Sequence, residues 1–375
     1  MQIEPPPPAF GRRYARGEAQ IVWTNLVSDL ETPVSAFLKI ARERPLSFLL
    51  ESVEGGEVRG RYSIIGLAPD LIWRTLDGRA EIKRGADTRE DFRPCNEPPL
   101  AALRSVIAES RIELPDTLPP MAAGMFGYIG YDMVRLMEDL PSSKPDPIGV
   151  PDAMLLRPTV VVVFDAVTDI ITVVTPVRPE AGVSADSAFE HAGKRLAGVV
   201  EALDAPLAHS PPRTQGGPLT VWPSSNTPSA EYERMVEVAK EYIAAGDIFQ
   251  VVLAQRFEAP FALPAFALYR ALRRVNPAPF LYFLDFGSFA IAGSSPEILV
   301  RVREGTVTIR PLAGTRPRGR NEEGWSRGRY GAYHALEGWR AFLAGAGFAE
   351  VRHYYRPEGL PCEQQPWLAV VARKL

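Results

Sequence analysis

The stretch Thr159–Val177, TVVVVFDAVTDIITVVTPV, constrains the fold more than any other part of the chain. Its two apolar runs are strand length, far short of a membrane span. They read as a hairpin buried on both faces, because neither run alternates polar with apolar residues. A second hairpin of the same kind is expected over Pro279–Ser295, PFLYFLDFGSFAIAGSS. Strands are also expected over 19–24, 47–53 and 61–67. A further hairpin is predicted over 71–84, where Asp77-Gly78 suits a tight primed turn. Between these lie helical patterns. Thr32-Pro33 gives a capping hydroxyl followed by proline at the first helical position. Helices are predicted near 99–109 and 185–203. Hairpins mixed with irregularly spaced helices argue for an α+β fold built on a large, mostly antiparallel sheet system.

The segment 205–228, rich in proline, serine, glycine and threonine, cannot bury a core and reads as a linker. Beyond it Tyr232, Met235, Val236, Ala239, Tyr242 and Ile243 form a helical stripe, with Gly246 placed to end the helix. A strand is expected over 248–257, IFQVVLAQRF, and a helix over 266–275 that stops before Asn276-Pro277.

The 375 residues are enough for two or three domains. The net charge of −3 provides no basic surplus for nucleic acid. The two cysteines, Cys95 and Cys362, cannot build a disulfide framework, which fits a reducing, cytoplasmic setting. The N-terminal MQIEPPPPAF has no apolar signal region, and no apolar stretch suits a membrane. His191, His209, His334 and His353 show no metal-ligand spacing.

Three clusters carry chemistry. Gln250 is a polar residue in an apolar run, either a functional amide or a core glutamine bonded to backbone. Glu297, in GSSPE, puts a carboxylate just past two small hydroxyl residues, or else is a solvated turn residue. PLAGTRPRG, residues 311–319, combines small residues with two arginines. It reads as an anion-binding loop or a basic surface loop.

Taken together, FLLESVEGG, RYSIIG, GYIGYDMVR, GDIFQVVLAQRF, NPAPFLYFL, GSSPEILV and PLAGTRPRGRNEE resemble component I, the large subunit, of anthranilate synthase. They fall in that family's order over residues 15–323. The resemblance implies a chorismate-utilising fold of mostly antiparallel sheets flanked by helices, incomplete at the C-terminus. It implies conversion of chorismate and ammonia to anthranilate and pyruvate in tryptophan biosynthesis. It also implies magnesium and a glutamine amidotransferase partner, component II. By the same resemblance Glu297 is an active-site acid, and Gly314 and Thr315 hold a substrate carboxylate. Gln250 stands where water-using relatives carry a lysine base. Ala313 stands where aminodeoxychorismate synthases carry lysine, so that branch is the less favoured alternative. LLES and NPAPF resemble the family's tryptophan feedback site, assigned here to Leu50, Glu51, Ser52, Asn276, Pro277, Ala278 and Pro279.

The family's later segments, with its magnesium-ligating glutamates and the groups that hold chorismate, do not occur in this sequence. From Gly324-Trp325 the resemblance changes. The tail, with a helical stripe over 336–346 and strands over 348–355 and 367–373, resembles the end of a class I S-adenosylmethionine methyltransferase, without its cofactor loop. The expected organisation is residues 1–204 as the N-terminal region, 205–228 as linker, 229–324 as the first part of a chorismate-binding domain and 325–375 as the tail. Three readings follow: a component I chain inactive in this form, a non-catalytic fragment that binds tryptophan or docks a partner, and a fusion artefact.

Overall fold

A computed structural model describes the chain from residue 1 to 374, apart from residues 42–43, 53–59, 86–90, 120, 141–144, 209–221, 249, 304–305, 310–321, 327–328, 334–336, 338–339, 342–343, 345–347 and 357–366. It divides into two compact units, Met1–Pro212 with Leu263–Pro296, and Arg213–Ala262 with Glu297–Leu375. Residues 263–296, which follow the linker in the sequence, therefore fold with the N-terminal region.

The first unit opens with α1 (Pro7–Ala15), β1 (Gln20–Val27), α2 (Pro33–Ile40), β2 (Ser47–Glu51), β3 (Tyr62–Leu76) and β4 (Arg79–Arg84). The expected capping signal at Thr32 is realised: its hydroxyl accepts the Ser35 N–H while the Ser35 hydroxyl accepts the Thr32 N–H. This reciprocal pair satisfies two backbone donors at the start of α2. Asp77 (φ 50°) and Gly78 (φ 70°) both take the left-handed conformation, as the primed turn between β3 and β4 requires. Then come β5 (Arg93–Pro94), α3 (Pro99–Glu109), β6 (Phe126–Ile129), a short 3-10 turn (Tyr131–Leu136), β7 (Ala153–Asp165), β8 (Ile170–Val177) and α4 (Ala185–Asp204).

β1, β8, β7, β3 and β2 follow one another across a mostly antiparallel sheet, and β4, β5 and β6 pair along its side. The hairpin expected to be buried on both faces is so. Val160, Val162 and Phe164 of β7 enter a core covered by α1, α2 and α4, while Val161 and Val163 enter a second core on the opposite face. Alternate side chains of a strand point to opposite faces, so only a strand sandwiched between two cores needs apolar residues at every position. A bulge in β3, between Pro69 and Leu71 opposite β7, accompanies the contact of Asp70 with Arg157. Arg157 is 7% exposed and is also held by Glu109 and the Ser110 hydroxyl.

The second unit begins with β9 (Ser224–Ser225), α5 (Ser229–Ala245) and β10 (Phe257–Glu258). Gly246 ends α5 in the left-handed conformation at φ 84°. The stripe on α5 is less buried than its pattern suggests: Ala239 is buried, while Val236 and Tyr242 are exposed. Of the strand expected over 248–257, only Phe257 is in a strand, the two-residue β10. β10 pairs with β9, and no ladder partner for residues 250–256 exists among the described residues. An apolar run forms a strand only where its N–H and C=O groups find a neighbouring strand.

The chain returns to the first unit with α6 (Ala265–Val275), β11 (Phe280–Asp285) and β12 (Ala290–Ser295). β11 adds to β2 and β12 adds to β11, extending the large sheet to ten strands. The second unit ends with β13 (Arg301–Arg303), β14 (Thr306–Ile309), β15 (Glu322–Ser326), β16 (Arg329–Tyr333), β17 (Phe348–Arg356) and β18 (Trp367–Lys374). The expected tail strand pair is β17 with β18, and β18 also pairs with β14. Segments on both sides of Gly324 thus share one sheet. The apolar positions of the expected tail helix, from Leu336 to Ala346, lie outside the described residues. Among the described residues no helix is long and apolar enough to cross a membrane.

Candidate functional site: the β2–β11–β12 corner

The expected effector residues converge at one corner of the sheet. Antiparallel pairing sets Leu50 opposite Tyr282 and Glu51 opposite Leu281. Ser52, just past the end of β2, donates its hydroxyl to the Pro279 carbonyl at 3.1 Å. Ser294 of β12 donates to the Asn276 carbonyl at 2.6 Å. Two carbonyls of the Asn276–Pro279 loop are thus held by hydroxyls, one from the residue after β2 and one from β12. Pro277 and Pro279 stiffen the loop by fixing their own φ and restricting the residues before them. Ala278 and Pro279 are buried, whereas Asn276 and Pro277 face solvent.

One aromatic residue marks this face. Tyr282 sits opposite Gly293, and a Cβ added there would come within 2.0 Å of the Tyr282 ring. Glycine at 293 therefore gives the ring its place. Leu50 packs on the same face as Tyr282.

Glu51 points the other way. Leu49 belongs to the helix-covered core and Leu50 to the opposite one, and alternation puts Glu51 with Leu49. Its carboxylate, 4% exposed, accepts the Tyr269 hydroxyl at 2.5 Å and Arg273 Nε at 2.9 Å. Burial and the adjacent Glu51 carboxylate hold the Tyr269 hydroxyl above its ordinary range, so it stays a donor. Tyr269 and Arg273 are not singled out by the sequence reading. The available signal is their spacing of four on FALYRALRRV, which puts two polar tips on one helical face.

The expected catalytic residues lie in the second unit and are less assembled. Gln250 is exposed and outside any strand, so the buried amide anticipated there is not formed. Glu297 follows β12 and Pro296 and is exposed. Gly314 and Thr315 lie outside the described residues, as do Ala313 and both arginines of the anion loop. Among the described residues no three His, Cys, Asp or Glu side chains come together to hold a metal ion.

Comparison with known proteins agrees with this architecture. Residues 66–327, well over half of the chain, match the family described as chorismate binding enzyme. The chain is 51% identical over 318 residues to anthranilate synthase component 1 of Cereibacter sphaeroides, covering 84% of this chain and 63% of that protein. It is 41% identical over 298 residues to the Thermus thermophilus component 1, covering 79% of this chain and 60% of that one. The chain thus spans about three-fifths of the length of the curated relatives it matches. The crystal structure of anthranilate synthase component I from Streptococcus pneumoniae superposes with a TM-score of 0.59 at 24% identity, covering 93% of this chain and 76% of that chain. That likeness shows the fold, a mostly antiparallel sheet flanked by helices. By sequence match and by architecture, this chain belongs to the chorismate-binding enzyme family.

Proposed function

We propose that this chain is of the anthranilate synthase component I type, whose reaction takes chorismate and ammonia to anthranilate and pyruvate. The observation that carries this reading is the 51% identity to a component 1 over 318 residues. In it Glu297 acts as the acid at the departing ring hydroxyl. Gly314 and Thr315 receive a chorismate carboxylate through backbone N–H groups. Gln250 cannot deprotonate water, which suits an enzyme whose nucleophile is ammonia. The name component 1 supports a second component, and a glutamine amidotransferase subunit is the expected ammonia donor.

We assign the β2–β11–β12 corner to the binding of tryptophan. Leu50, Ser52 and the Asn276–Pro279 loop meet within one compact unit, and this favours an effector-binding role that does not depend on turnover. The expected residues from 325 onward read as a tail of different descent, and the family match, which ends at residue 327, supports that reading.

The 375-residue polypeptide by itself is expected to be catalytically silent. The family's metal-ligating segments do not occur in this sequence, and losing a metal clamp on a dianion removes several kcal/mol of transition-state stabilisation. The test is direct, because anthranilate is fluorescent. The purified chain with chorismate, magnesium and ammonium should produce none above background. Clear magnesium-dependent anthranilate formation would overturn the inactive reading and return this polypeptide to the catalysts.

A further inference from the structure

We propose that Glu51 is a positioning residue rather than an effector ligand: with Tyr269 and Arg273 it anchors the end of α6 and so sets the loop that Ser52 grips. This deepens the effector reading and rests on it for the identity of the ligand.

Three observations carry it. First, the side chain of Glu51 lies on the helix-covered face of the sheet, away from Leu50. A ligand held by Ser52 and Leu50 does not reach that carboxylate. Second, both bonds to Glu51 come from α6, one helical turn apart, and both end on Oε2. Tyr269 is fully buried and Arg273 is 34% exposed, so this oxygen is held from the core side and from the rim. Hydrogen bonds to an ionised carboxylate are among the stronger side-chain bonds, and burial raises the cost of breaking one. Third, α6 runs into the loop with almost no slack. Arg273 is three residues before Asn276, whose carbonyl is held by Ser294, and Pro279 accepts from Ser52. Glu51, the last residue of β2, therefore fixes the helix, and Ser52, the residue after it, fixes the loop. A shift of α6 along β2 would change the separation between Ser52 and the Pro279 carbonyl.

The variants Tyr269→Phe and Arg273→Met test this, because each keeps most of the packing volume and removes one bond to Glu51. Leu196→Ala on α4 is the control, a cavity in the same helix-side core that leaves these three residues in place. Amide hydrogen exchange is followed at Ala278, Phe280 and Leu281 without ligand, and tryptophan affinity is measured by calorimetry. Both test variants should speed exchange at these amides ahead of the rest of the unit and weaken tryptophan about three- to tenfold, the net range of one lost hydrogen bond. The control should lower the melting temperature with neither effect. Arg273→Lys, which keeps the charge but not the geometry, should recover part of the affinity. Unchanged local exchange in both test variants, or the same change in the control, overturns the proposal. If the wild-type chain does not bind tryptophan while local exchange still responds, the effector reading fails and the positioning role stands. If tryptophan binds and Ser52→Ala weakens it but neither test variant does, the positioning role fails and the effector reading stands.

Discussion

Ser52 and Pro279, 227 residues apart in the chain, are joined by a single hydrogen bond of 3.1 Å from hydroxyl to carbonyl. That bond closes the corner between the end of β2 and the loop entering β11. Ser52→Ala removes the donor and leaves a partly buried carbonyl without it. Tryptophan binding should weaken by ~1 kcal/mol or more, about fivefold. Titration calorimetry on the two proteins checks this, and equal affinities would remove Ser52 from the effector site.

Gly66 faces Phe48 across β2 and β3, and a Cβ at 66 would fall 2.1 Å from the Phe48 ring. Phe48 is 1% exposed and stacks on Phe126 at 4.6 Å, so its ring has little room to move. Gly66→Ala should cost about 1–3 kcal/mol through overpacking. A denaturation midpoint matching the wild type would show that the two aromatic rings repack at little cost.

Acid should weaken the first unit through Asp165. The hydrogen bonds from Arg61 hold the Asp165 carboxyl below its ordinary range, and they outweigh the opposing effect of burial. A carboxyl with a depressed folded-state value contributes stability that is full above its unfolded value and is lost as pH falls through the folded one. Melting temperature should therefore drop below the ordinary carboxylate range. Asp165→Asn should lie lower at neutral pH and show a shallower acid limb. Parallel acid limbs for the two proteins would mean that other carboxylates dominate.

The strand β18 pairs with β14, joining Thr308 to Val371 and Ile309 to Val370. Deleting residues 367–375 should remove that neighbour and speed amide exchange over residues 306–309, with little change in β7 or β8. Unaltered protection at 306–309 would show that the tail does not complete this sheet.

The sequence by itself determined those features that depend on near neighbours in the chain. The Thr32 cap, the Asp77-Gly78 turn and the Gly246 helix end each rest on a side chain or φ preference acting over a few residues. The doubly buried hairpin over 159–177 was equally legible, because full burial leaves no polar position to alternate with. The LLES and NPAPF halves of the candidate effector site could be named from their residues alone. Tertiary structure decided the rest. Alternation along β2 says that Leu50 and Glu51 face opposite ways, but only packing shows which face carries α6. Tyr269 and Arg273 could not be linked to Glu51 from sequence, since their bonds cross 218 and 222 residues. The strand expected around Gln250 failed for the same reason. Its apolar residues favour an extended chain, yet a strand is a property of two segments, and no partner lies beside this one among the described residues.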